Sequence, residues 1–177
     1  VYSAFHNLYS GLAEFGQKNK IQGMTNGFVT GAFGLRLRTP KLKSHKSGTR
    51  ECTEVGSEAR SASNMVTQSW GMLMNRAFIE FNNRLEKSPY INKVRLINTI
   101  HDATYLLVKA EPEVMHWVNI NLIECMEWQE GIIKSDDVKI GAELDFGLDW
   151  AHQETLHNRA TIEEIQEFLN TKIYKKD

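Results

Sequence analysis

At 177 residues, 41% hydrophobic and 24% charged, the chain can bury one sizeable core and has the make-up of a folded domain, not of a disordered tail. No apolar run nears the roughly twenty residues that a membrane span needs, and no signal-peptide pattern opens the chain. Cys52 and Cys125 lack CxxC spacing, which argues against a disulfide framework or a zinc site and favours a reducing, cytoplasmic setting. A net charge of −1 says nothing about a polyanionic partner, but the charge is unevenly spread. Arg36, Arg38, Lys41, Lys43, Lys46 and Arg50 share one stretch with His45 and no carboxylate, and most of the acid follows Glu111. Such a basic run is either a solvated loop or a phosphate-facing one. Because the chain opens on Val1, it is read as a piece processed or excised from something longer.

Residues 1–24 place Phe5, Leu8, Tyr9, Leu12, Phe15 and Ile21 near helical spacing. This predicts an amphipathic helix, broken near Ser10-Gly11 and ending at Gly23. "NGFVTGAFGLRLRTP" then reads as a β-hairpin closed by Pro40, followed by a polar loop. Residues 57–87 form the longest helical pattern, with an apolar stripe of Met65, Trp70, Met72, Leu73, Ala77, Phe78 and Phe81, stopped at Ser88-Pro89. A β-ribbon follows, with strands near 94–99 and 104–108. A second helix runs from Glu111 to Glu130, with Pro112 in its first turn. "DVKIGAELDFGLDW" alternates as a strand, with Val138, Ile140, Ala142, Leu144 and Phe146 on one face. A last helix near 162–170 starts behind Thr161, with Glu164 three residues on. The predicted fold is α+β: an antiparallel sheet of short strands backed by two or three helices. Trp70, Trp117, Trp128 and Trp150 sit on apolar stripes and are expected in the core. Met65, Met72, Met74 and Met126 are read as helix packing. Asp145 and Asp149 read as solvated strand-edge residues, and Asp136-Asp137 as a turn. His6, His116, His152 and His157 show no metal-ligand spacing.

Two features carry chemistry. His101-Asp102 interrupts an apolar ribbon at the point where it must turn, so Asp102 stands at an exposed tip. It is either a turn residue capping its own backbone or a carboxylate presented to a site. Arg60, Asn64 and Gln68 lie at i, i+4 and i+8, one row along a helix, and all three can donate hydrogen bonds. That row is either a solvated face or a grip on the minor groove, where every base pair offers purine N3 and pyrimidine O2 acceptors at similar places.

"EARSASNMVTQSWGMLMNRAFIEF", then "IHDATYLLV", then "GAELDFGLDW" closely resemble, in order and spacing, the C-terminal end of family A DNA polymerases. Glu58, Arg60, Asn64 and Gln68 match the family's Glu-Arg…Asn…Gln helix, and His101-Asp102 its third catalytic motif. "GFVTGAFGLRLRTP" is similar to the hairpin that follows the fingers. The run from Trp70 to Leu73 and "MEWQ" look more like bacteriophage members.

The resemblance implies a palm segment over 1–177: a helix after the fingers (1–26), a hairpin and basic DNA-contact segment (27–50) and a palm core (57–177). It implies DNA-directed DNA polymerase activity with magnesium in a two-metal site. Asp102 would be one metal carboxylate and His101 would contact the primer terminus. Arg60, Asn64 and Gln68 would follow the minor groove, and Arg36, Arg38, Lys41, Lys43, Lys46 and Arg50 the duplex phosphates. Partners would be primer–template DNA and dNTP, in the cytoplasm of a host if the chain is phage-encoded. Ala103 stands where the family commonly has Glu, so position 103 is not expected to bind metal. No "DYSQIE"-like or "RxxxKxxxxxxYG"-like stretch is present. Activity is therefore expected only with a partner chain or N-terminal part carrying fingers, thumb and the second palm Asp. A non-catalytic DNA-binding accessory subunit or remnant is the alternative.

Overall fold

A computed structural model describes residue 4 and residues 7–44, 53–127 and 140–174. The chain divides into two units, Val1–Met72 and Leu73–Asp177. Helices and antiparallel strands make it α+β, as the sequence indicates, and among the described residues the strands form three separate two-stranded ribbons.

In the first unit, helix α1 (Ser10–Asn26) runs past the expected stop at Gly23. It closes at Gly27, whose left-handed φ of 79° frees its N–H to bond the Gly23 carbonyl. Gly23 instead lets chain segments approach: a Cβ there would lie 2.9 Å from Leu42 Cδ2 and 3.1 Å from Thr39 Oγ1. The expected apolar face is not the buried one. Leu8, Leu12 and Ile21 are 73%, 52% and 54% exposed, while Asn19 and Gly23 are buried.

Strands β1 (Phe28–Thr30) and β2 (Arg36–Arg38) pair antiparallel, Val29 opposite Leu37. Helix α2 (Pro40–Ser44) starts with Pro40 in its first turn, where a missing N–H costs nothing. Its Leu42 N–H donates to Glu58 Oε2 at 2.7 Å. Glu58 belongs to helix α3 (Thr53–Ser63), so one carboxylate ties the short basic helix to the next element and meets its positive end. Val29, Leu42, Val55, Ala62 and Met65 form the core. The single helix expected over 57–87 is two, α3 and α4 (Met65–Glu86), with Asn64 in a turn between them.

The second unit holds the long ribbon, β3 (Val94–Ile100) and β4 (Ala103–Val108), within a residue or so of expectation. Alternation decides its faces: Val94, Leu96, Leu106 and Val108 meet the core of Phe81, Leu85, Val114, Val118 and Leu122. The core residues come from α4 and from α5 (Pro112–Glu127). Ile97 is an extra residue between the Leu96–Leu106 and Asn98–Tyr105 pairs, a bulge that increases local twist.

Strands β5 (Leu144–Gly147) and β6 (Gln153–Leu156) make the third ribbon. Ile140 and Ala142 lie outside β5, which begins later than the alternation suggests; Val138 lies outside the described residues, and β6 is not foreseen from the sequence. Helix α6 (Ile162–Phe168) has the expected capping box between Thr161 and Glu164, and it runs into a π-turn. Met115, Leu156, Ala160, Ile165 and Leu169 form a second small core. Asn119, fully buried, donates to the His157 carbonyl (3.2 Å) and accepts from the Ala160 N–H (3.1 Å), so the amide ties the segment before α6 to α5.

Candidate functional site

His101 and Asp102 are the two turn residues between β3 and β4. His101 takes a positive φ of 54° while Asp102 stays on the negative side, the sign pattern of the hairpin turn that favours Gly at its first position. The ribbon's twist therefore imposes a conformation that an L residue adopts at a cost of roughly 1 kcal/mol. Both side chains are exposed. Asp102 has no hydrogen-bond or ion-pair partner among the described residues, so it does not spend its oxygens capping its own turn. Just below, the Thr104 hydroxyl is buried without a hydrogen-bond partner.

The opposite end of the ribbon is clamped. Lys93 and Lys109 share a backbone hydrogen bond (2.9 Å), and both ammonium groups reach Glu111, at 2.6 and 2.5 Å. Hydrogen bonds from Lys109 and then Lys93 hold the Glu111 carboxyl below its ordinary range. The same contact with Glu111 raises the Lys93 ammonium. The Glu111 backbone carbonyl accepts the Met115 N–H, so the clamp residue also stands at the start of α5.

The basic residues and the donor row lie in the first unit. Arg36 and Arg38 project to solvent from β2, the Arg36 guanidinium lying 4.7 Å above the Phe28 ring. Lys41 and Lys43 are exposed on α2; Lys46 and Arg50 lie outside the described residues. Arg60 on α3 and Asn64 in the turn after it are exposed, whereas Ala62 and Met65 beside them are buried. The Asn64 N–H still bonds the Arg60 carbonyl at 3.0 Å, so the row keeps its spacing through the turn. Gln68 follows on α4, its side chain outside the described residues. The structure thus brings together Arg36, Arg38, Lys41, Lys43, Arg60 and Asn64 in one unit, and His101 with Asp102 in the other.

One feature escaped the sequence. Trp150 was expected in the core but is 69% exposed, because the chain turns at 148–152 between β5 and β6. One ring face stacks on Tyr105 of β4, centroids 4.8 Å apart and planes 17° apart. Asp149 fixes that turn by accepting from the Ala151 and His152 N–H groups, both at 2.8 Å, and pairing with the His152 ring. These contacts, that ring first, hold its carboxyl below the ordinary value. Trp117 is half-buried between Phe81 and Tyr90 as expected; the Trp70 side chain and Trp128 lie outside the described residues, as do His6, Cys52 and Asp136-Asp137. Burial pushes the Cys125 thiol up to about 11, which makes it inert packing. Met65 and Met74 are buried. His116 bonds the Ala160 carbonyl and His157 meets Glu164.

No group of three or more His, Cys, Asp or Glu able to hold a metal occurs among the described residues. Asp102, a hard, exposed and uncommitted oxygen donor, suits a magnesium ligand in kind; a single carboxylate does not make a site. No helix among the described residues is long and apolar enough to cross a membrane. No curated protein and no solved structure gives a significant match to the chain. The family model that matches, over residues 1–152, is that of DNA polymerase family A.

Proposed function

From the chain's membership of DNA polymerase family A, we propose that it is the C-terminal palm portion, of bacteriophage type, of a DNA-directed DNA polymerase. The activity of the family is template-directed nucleotidyl transfer, with DNA and dNTP as substrates. Asp102 supplies one carboxylate of a magnesium site whose remaining ligands come from outside these residues. His101 beside it meets the primer terminus. Arg60, Asn64 and Gln68 read the minor groove through acceptors common to all base pairs. Arg36, Arg38, Lys41, Lys43, Lys46 and Arg50 take duplex phosphate.

The observation that carries this reading is the His101-Asp102 turn: a strained two-residue tip on a clamped ribbon, holding a solvent-facing carboxylate with no local partner. Strain held at a tip that Gly would relieve supports reading His101 as a position that needs its side chain. When bound, the two metals would activate the primer hydroxyl and offset charge at phosphorus. The chain's own residues present one ligand and hold the duplex.

Reconstitution tests the proposal. The chain is mixed with a polypeptide carrying fingers, thumb and the second palm Asp, and magnesium-dependent primer extension is measured. Extension should appear only in the mixture. Asp102→Asn should lower it by more than about a hundredfold without changing DNA affinity. Robust extension by the 177 residues alone would refute the need for a partner. An unchanged rate in Asp102→Asn would favour a non-catalytic DNA-binding subunit, a reading to which the lone carboxylate also lends itself.

A further inference from the structure

The turn between β5 and β6 is more tightly specified than a surface loop requires. A Cβ on Gly147 would fall 2.2 Å from the His152 carbonyl and 2.9 Å from that of Asp149, so the backbone closes on itself there. The Asp149 carboxylate then binds two N–H groups and the His152 ring. What this rigid turn presents is Trp150. One face of the indole lies against Tyr105, and the residue is still 69% exposed, so the other face is open among the described residues. Tyr105 stands three residues beyond Asp102 on β4, a rise of roughly 10 Å.

We propose that the open face of Trp150, backed by Tyr105, is a stacking platform for an unpaired nucleobase of single-stranded DNA. The inference rests on the polymerase reading. A nucleobase fits because the pair offers a flat, preorganised π surface and the family's substrates are nucleic acids. The charge next to the platform is mainly acidic and does not attract phosphate: the flanking strands carry Asp145 and Glu154, Glu143 precedes them, the turn adds Asp149, and no Lys or Arg lies between residues 140 and 158, the nearby Lys172 being paired with Glu154 at 3.9 Å. Binding here is therefore through the base, with the salt dependence of the complex arising elsewhere.

The test is a titration of the 177-residue chain with a short oligothymidylate at low and high salt. It follows affinity and the indole N–H resonance of Trp150, assigned from its loss in Trp150→Phe. The resonance should shift on saturation at both salts. Trp150→Ala should weaken affinity roughly tenfold by the same factor at both salts, and Trp150→Phe should restore most of the loss. A silent indole in the wild-type complex overturns the platform whatever the fate of the Ala variant. So does a resonance that moves only when the complementing polypeptide is added, which would assign the face to protein. No oligonucleotide binding at all would also remove this inference, while primer extension by the reconstituted mixture decides the polymerase reading separately. Binding with a silent indole removes this inference alone.

Discussion

His101 holds a backbone conformation for which glycine is the better residue. If the imidazole is kept for function, His101→Gly should raise ribbon stability by about 0.5–1 kcal/mol while lowering extension in the reconstituted enzyme. Chemical denaturation and primer extension on the same preparation would show the opposed signs. Asn119 makes the converse case, a buried polar residue that is wholly structural. Asn119→Ala strands the Ala160 N–H and the His157 carbonyl and should cost about 2–3 kcal/mol in a urea melt. The sequence singles out His101 as a candidate for the primer terminus but not its backbone conformation, and it gives no sign of Asn119. A left-handed φ depends on the turn that the two strands close, and a buried amide depends on which loop folds over it. Asp102 stands out in the sequence by its type and its place between two apolar runs, and the structure places it exposed at that turn.

Among elements, the sequence was most informative where local chemistry decides. Thr161 and Glu164 form their capping box wherever α6 packs, and the apolar alternation of residues 94–108 could be buried on only one face. It was least informative for α1, whose apolar spacing predicted the buried side, whereas Asn19 and Gly23 are the residues that pack. There the close approach of α2 required a residue without a side chain, and contact distance outweighed hydrophobicity.

The clamp at the foot of the long ribbon is an element-scale device with a pH signature. Glu111 has a depressed carboxyl pKa, so its contribution is complete above the ordinary 4.5 and is lost as the pH falls through the lower folded value. Lys93 is raised, so its share persists below the ordinary 10.5 and disappears as the pH climbs through the higher folded value. The thermal midpoint of the wild type should therefore drop more steeply in acid than that of Glu111→Gln. Parallel curves would show that the clamp does not stabilise the fold.

For the whole molecule, the described candidate phosphate-binding cations Arg36, Arg38, Lys41 and Lys43, with Arg60 and Asn64, belong to one unit and Asp102 to the other. If the first unit takes the duplex backbone, the logarithm of affinity should fall linearly with the logarithm of salt. Removing Arg38 and Lys41 together should lessen the slope by about two, whereas Asp102→Asn should leave it alone. A slope indifferent to the double substitution would place the phosphate contacts elsewhere. The family itself was recognisable because three motifs kept their order and spacing. The exposed Trp150 was not, since an aromatic residue reads the same in a sequence whether a turn hides it or presents it.

Ile97 is where β3 holds two outward residues against one on β4, and the neighbours on either side keep their faces with or without it. A single-codon deletion there would leave every inward side chain pointing inward while unwinding the extra twist beneath the tip. Such a variant should keep the wild-type circular dichroism and bind duplex normally, yet extend primers poorly, because its carboxylate would be re-aimed with nothing removed from the core. Length, rather than composition, would then be what this ribbon cannot give up.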